Sequence, residues 1–352
     1  MVNRGRWAWS VALVASLALV AGACGGDDDG SAESGSGGDA VEGTLNISGS
    51  STVEPIARIL GEDFMIENEG AEVNVDGPGT GDGFELFCNG DIEIADASRP
   101  IKAEEAAICE QNGVEYIELE VAFDGLTVIT SPENDAVECL APADLYALIG
   151  PESEGFDTWA DADTLATEAG GTGGFPDAEL KIFGPGQESG TYDSFIELAT
   201  APTAEARFEA GAITEDQVET IRSDYQASAQ DSVIVQGVEG NATSLGWVGF
   251  AFAEEEGDKI AEIAVQNDEG ECVAPSSETI ADGSYPLSRS LYMYVSASAA
   301  EDNPVVAPFV DFAVANLTTA VEEALYVPLP EDRLAATEAV WTERTIAEAP
   351  AE

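Results

Sequence analysis

The chain has 352 residues, with 69 Asp and Glu against 12 Lys and Arg and no histidine. A net charge of −57 argues against DNA or RNA as a partner, because that affinity comes from Lys and Arg neutralising phosphates. The absence of His removes Ser-His-Asp triads, Cys-His nucleophile pairs and His-ligated zinc or haem. A hydrophobic fraction of 44% is enough for packed cores, and the length suits about two domains of ~100–200 residues.

Arg4 and Arg6 precede an uncharged stretch, residues 7–23, that closes on Ala21-Gly22-Ala23 before Cys24. Basic start, apolar middle and small residues at the end give a secretory signal peptide over residues 1–23. The small residues before Cys24 resemble a bacterial lipobox, whose cysteine is lipidated, although Ala21 stands where a larger aliphatic is frequent. A membrane-spanning anchor is the alternative, with an apolar run near the lower limit of ~17 residues. Residues 24–42 are rich in Gly, Ser and Asp and read as a flexible linker with nothing to bury. The expected location is the outer face of the cell membrane, with the lipid on Cys24 as the tether.

Four cysteines remain, Cys88, Cys109, Cys139 and Cys272. In an oxidising compartment an even count reads as two disulfides, Cys88–Cys109 over a short loop and Cys139–Cys272 over a long one. A four-thiolate metal site would need C-x-x-C spacing that is absent, and no metal or cofactor is expected.

After the linker, strand and helix patterns alternate. Residues 44–48 read as a strand, and Val53, Ile56, Ala57, Leu60 and Phe64 recur at helical spacing with Pro55 in the first turn. A strand at 72–76, a short helix at 83–89, a strand at 92–95 and a helix at 102–111 follow. Two separate strands are expected at 115–121 and 126–130. Further on come a helix at 143–149, a strand at 180–183, a helix opening at Ser189 and an amphipathic segment at 231–238. Strands at 245–250, 260–265 and 290–295 precede helices at 304–316 and 331–345. Strands joined through helices make the class α/β.

Three strand ends share one feature. Strand 44–48 runs into Gly49-Ser50-Ser51-Thr52, strand 72–76 into Gly77-Pro78-Gly79-Thr80, and strand 180–183 into Gly184-Pro185-Gly186 and Ser189-Gly190-Thr191. Ligands of open α/β sheets sit at the carboxyl ends of strands. Helix N-termini there offer free N–H groups and partial positive charge, and hydroxyls add donors. One Ser or Thr before a helix is ordinarily an N-cap worth ~1 kcal/mol; three such loops in one chain point to an anion. No Lys follows these glycines, so a nucleotide-binding P-loop is disfavoured. Arg99, at the end of the third strand in Asp96-Ala97-Ser98-Arg99-Pro100, is either an oxyanion clamp or one half of a salt bridge. No Lys or Arg stands near the Ser189 loop in sequence.

Several segments together carry a family resemblance. Gly49-Ser-Ser-Thr-Val-Glu-Pro55, Gly79-Thr-Gly81, Phe87 to Gly90, Ser98-Arg-Pro100 and Val121 to Thr127 occur in order. They are followed by Ser189-Gly-Thr191, Arg222-Ser-Asp-Tyr225, Pro286-Leu-Ser-Arg289 and Tyr326 to Pro330. The chain from about residue 43 to 345 resembles the phosphate-binding proteins of bacterial high-affinity phosphate ABC transporters. That resemblance implies a two-lobed periplasmic-binding-protein fold of type II with the ligand in the interlobe cleft. Lobe I would be residues 43–128 plus 286–352, and lobe II residues 129–285. It implies anion contacts from Thr52 and the Val53 backbone, from Thr80, and from Ser189, Gly190 and Thr191; Ser51 and Ser98, in the same loops, are further candidates.

Two departures stand out. Pro185 occupies the region where relatives carry an Arg, and Arg99 follows Ser98 where they carry a proton-accepting Asp. Arg99 is then the expected cation, and Asp96, Asp82 and Asp224 are open candidates for the acceptor. The expected partners are inorganic phosphate and a transporter permease, the membrane through the lipid anchor, and no nucleic acid, for a monomer without enzymatic activity. Receptors for sulfate, molybdate or tungstate are the alternative. A phosphatase-like enzyme lacks His, G-x-S-x-G and a Lys beside the hydroxyl loops.

Overall fold

The computed structural model describes residues 41–187 and 189–350; the expected signal peptide, Cys24 and nearly all of the linker lie outside them. The strands are β1 (Gly43–Gly49), β2 (Ala71–Asp76), β3 (Ile94–Ala97), β4 (Tyr116–Thr130), β5 (Cys139–Leu140) and β6 (Lys181–Gly184). They continue with β7 (Gln226–Ala227), β8 (Ser244–Gly249), β9 (Ala261–Gln266), β10 (Cys272–Val273) and β11 (Ser288–Ser296). The lateral order is β2-β1-β3-β11-β4-β8-β6-β7, with β9 on β4 and the short β5 and β10 on either side of β9.

β4 organises the fold. Its first part, residues 116–125, pairs antiparallel with β11, and residues 126–129 continue against β8 and 128–130 against β9. The two strands expected here are one continuous strand. Asp124 and Gly125 look like a turn in sequence, yet they pair with Arg289 and Ser288 and are buried. Partners on the neighbouring strand, not local propensity, hold them extended. Where the chain returns before β11, the Leu126 N–H donates to the Leu287 carbonyl and the Tyr285 hydroxyl to the Leu126 carbonyl. The result is the expected two-lobed α/β architecture: one sheet is β2-β1-β3-β11 with the first part of β4, the other its second part with β8, β6, β7 and β9.

The helices that carry the candidate loops form for local reasons. α1 (Glu54–Glu67) has Pro55 in its first turn, where a missing N–H costs nothing, and Glu54 beside the positive end of its dipole. It buries Ile56, Ala57, Leu60, Gly61 and Phe64, and Phe64 meets Phe309 and Phe312 edge-on. α2 (Thr80–Asn89) starts at Thr80, earlier than its apolar pattern suggests, because the first turn is polar. α3 (Ala103–Asn112) is tied to α2 by the disulfide Cys88–Cys109. The second disulfide, Cys139–Cys272, joins β5 and β10 across β9. Helices Asp163–Ala169 and Ala201–Glu209 escaped the sequence reading, their apolar faces being short. No helix among the described residues is long and apolar enough to cross a membrane.

Candidate functional site

β1 ends at Gly49, whose φ is +148° and where a Cβ would lie 2.0 Å from the Asp96 carbonyl oxygen. Only glycine fits that approach. It lets the Ser50 N–H reach the Asp96 carbonyl at 2.9 Å and turns the chain toward α1. In that turn Thr52 N–H donates to Ser50 Oγ at 3.1 Å, and the Val53 and Glu54 amides donate to the Ser50 carbonyl at 3.2 and 3.0 Å. The Val53 amide, expected as an anion donor, is therefore used to close the turn. At the end of β2, Thr80 Oγ1 accepts from Ser98 N–H at 3.2 Å and shares a 3.0 Å hydrogen bond with Ser98 Oγ. The second loop and the third strand end are thus one unit. After β6, Ser189 caps the helix Gly190–Phe195, its Oγ accepting from Thr191 N–H at 3.2 Å.

These ends open onto a cleft of about 710 Å³. Of the expected residues, Ser51, Thr52, Thr80, Ser98 and Arg99 line it, joined by Tyr192, Asp193, Glu197 and Arg289. Ser189, Gly190 and Thr191 stand beside it rather than on its wall. Gly190 backs onto the first turn, so that a Cβ there would be 3.1 Å from the Ser51 carbonyl. Ser51 Oγ donates to Asp193 Oδ2 at 2.8 Å, and the Thr52 and Ser194 hydroxyls share a 3.2 Å hydrogen bond. The first and third loops meet directly.

The positive charge is distributed differently from the sequence expectation. Arg99 makes a fork-to-fork pair with Glu105 at 2.9 and 2.8 Å. Burial pushes the Glu105 carboxyl up, but the hydrogen bonds from Arg99 and the Lys102 amide outweigh it and leave it below its ordinary range. Arg289, on β11, reaches into the cleft. Its Nη2 donates to Ser194 Oγ at 2.7 Å and to Thr52 Oγ1 at 3.2 Å. Its Nε faces Asp124 at 3.4 Å, and Nη1 is paired with Glu197. The chain does bring an Arg to the helix after Ser189, from 95 residues further on. The only sequence trace was scarcity of basic residues, together with the matching segment Pro286-Leu-Ser-Arg289, whose neighbours mark no site.

The acids sort themselves by burial. Asp124 is 3% exposed; burial raises its carboxyl, and Arg289 and Ser194 only partly oppose this. Asp193 is likewise raised by burial, against the Ser51 hydrogen bond. None of the three acceptor candidates reaches the cleft wall. Asp96 is wholly buried, Asp224 is held by Arg222 at 2.5 and 2.8 Å, and Asp82 points to solvent.

The PBP superfamily domain matches residues 34–316. The chain belongs to that superfamily. The protein SphX of Synechocystis is 38% identical over 290 residues, covering 82% of this chain and 79% of that protein. A phosphate-binding protein PstS of Staphylococcus saprophyticus is 34% identical over 322 residues, 92% of this chain and 89% of its own length. A crystal structure of a possible phosphate binding protein from Planctomyces limnophilus superposes with a TM-score of 0.76 at 31% identity, covering 87% of this chain and 99% of that one. An ABC-type phosphate transport receptor from Vibrio cholerae shares the fold, with a TM-score of 0.55 at 21% identity over 81% of this chain and all (100%) of that one.

Proposed function

We propose that the chain is an extracytoplasmic receptor that captures inorganic phosphate between its lobes and delivers it to an ABC transporter permease, without chemistry of its own. The observation that carries this reading is the convergence of Thr52, Thr80 and Ser98 hydroxyls with the Arg289 guanidinium on one cleft, in a chain whose relatives bear the name phosphate-binding protein. Hydroxyls and a planar guanidinium suit a tetrahedral oxyanion, and strand carboxyl ends are where such folds place ligands. Arg289 takes the role of principal cation; Arg99 contributes from the cleft edge. The start of the helix at Ser189, Gly190 and Thr191 faces the Ser51–Thr52 turn, so a slight parting of the two turns gives an anion access to its amides. Asp193 is the acceptor for the proton of a hydrogenphosphate; sulfate, which carries no proton, cannot donate to it and leaves that carboxylate unpaired.

In this reading residues 43–128 plus 286–352 form one lobe and 129–285 the other, with β4 and the segment before β11 as the hinge. A lipid on Cys24 and the linker hold a monomer at the outer face of the membrane. Titration calorimetry of the protein with phosphate, sulfate, molybdate and tungstate tests the function. Saturable one-to-one phosphate binding with much weaker sulfate is expected. Tighter binding of another oxyanion, or of none, would overturn it.

A further inference from the structure

Arg289 faces more negative charge than it can neutralise. Asp124 lies behind it, wholly inside the protein and registered opposite it across β4 and β11. Glu197 lies in front of it, paired to Nη1 from the cleft wall with its side chain 52% exposed. One guanidinium between two carboxylates leaves an excess negative charge where an anion has to sit. The two acids are not equivalent. Asp124 is fixed by the strand pairing itself, whereas Glu197 belongs to a π-helical stretch, Ile196–Thr200, between the helices Gly190–Phe195 and Ala201–Glu209. Such wide turns gather at functional sites, and a half-exposed Glu can turn to water at small cost.

We propose that Glu197 is a built-in competitor for the cleft: its carboxylate occupies the outward Nη1 of Arg289 as a tethered anion, and the incoming ligand takes that place while Glu197 swings out. Tethering gives the carboxylate an effective concentration on the order of millimolar or more at Arg289. Anions with few contacts, such as chloride, then lose the competition, and only one that also engages the Thr52, Thr80 and Ser98 hydroxyls displaces it. Glu197 is thereby a specificity residue that lowers affinity. The inference rests on the phosphate-receptor reading above.

The test is calorimetry with phosphate on the wild type, Glu197→Gln, Glu197→Ala and Glu205→Gln, each checked for folding by circular dichroism. Both Glu197 variants are expected to bind phosphate about fivefold more tightly or better, and to become measurably sensitive to chloride competition. Glu205→Gln removes the same charge from the same cleft and is expected to shift affinity by less than about twofold. Unchanged or weaker binding in both Glu197 variants makes Glu197 a latch and overturns the proposal while the receptor reading stands. An equal gain in Glu205→Gln reduces the effect to net charge and also overturns it. Absence of phosphate binding in the wild type fells the receptor reading itself, and this inference with it.

Discussion

Thr52 is 2% exposed, yet its hydroxyl serves two partners, Ser194 and the Arg289 guanidinium. Those partners belong to different parts of the chain, so each side chain of the cluster holds the others in register. Arg289→Ala is expected to weaken phosphate binding by ~1–3 kcal/mol, roughly 5- to 150-fold, and Arg289→Lys to recover only part of it, because an ammonium cannot reproduce the fork. Arg99→Ala is expected to cost less, since Glu105 already occupies both arms of Arg99. Thr52→Ala and Thr80→Ala should each weaken binding by ~1 kcal/mol; calorimetry measures all five variants. Asp96 has another kind of consequence. Both its carboxyl oxygens lack a partner among the described residues; burial foremost, then Glu54 and Asp76, push it well above the ordinary carboxylate range. A folded-state pKa above the unfolded one favours the protonated form. The stability it contributes is complete below about pH 4 and declines as pH rises through the raised value. Asp96→Asn should remove that decline, so that at pH 8 the variant gains ~1–3 kcal/mol relative to its own difference from wild type at pH 4. Parallel denaturant titrations at the two pH values measure this.

At the scale of elements, β4 and the two disulfides set the geometry. The short disulfide spans 21 residues and fixes α2, whose first residue is Thr80, against α3. The long one spans 133 residues and ties the two small strands that flank β9. Closing a longer loop removes more entropy from the unfolded chain. Replacing either pair with Ser should lower stability by ~2–4 kcal/mol, with the Cys139/Cys272 pair the more costly, as read from thermal or denaturant unfolding. The strand and helix calendar from residue 43 to 112 was legible because each element has a clean period and a Gly or Pro at its boundary. The join at Asp124-Gly125 was not, because a buried acid and a glycine inside a strand are decided by Arg289 and Ser288 across the ladder.

For the whole molecule, the charge of −57 sets a field that repels the ligand this cleft suits. Capture then depends on short-range donors and Arg289, and salt should help rather than hinder. Between about 10 mM and about 150 mM salt the screening length falls from ~30 to ~8 Å. The association rate for phosphate should rise over that interval, the reverse of what a basic receptor shows. Stopped-flow fluorescence can follow it, because Trp247 stacks on Phe195 of the cleft helix at 4.3 Å. A rate that falls with salt would show that local positive potential at Arg289 outweighs the surface.

Short-range pattern, residue type and order along the chain are enough for the α/β class, the strand-to-helix loops with their hydroxyls, the presence of two disulfides and the family. Tertiary structure alone decided which of those loops line one cleft and which cation serves it. Thr52, Asp124, Arg289 and the pair Ser194 and Glu197 come from four separate segments, and apart from Thr52 none of their local sequences distinguishes them from the other acids, hydroxyls and arginines of the chain. Only the pairing of β4 with β11, and the approach of Gly190 to the Ser51 carbonyl, bring them within hydrogen-bond reach. A guanidinium in a cleft is defined by what surrounds it in space, and that information is distributed over the whole fold.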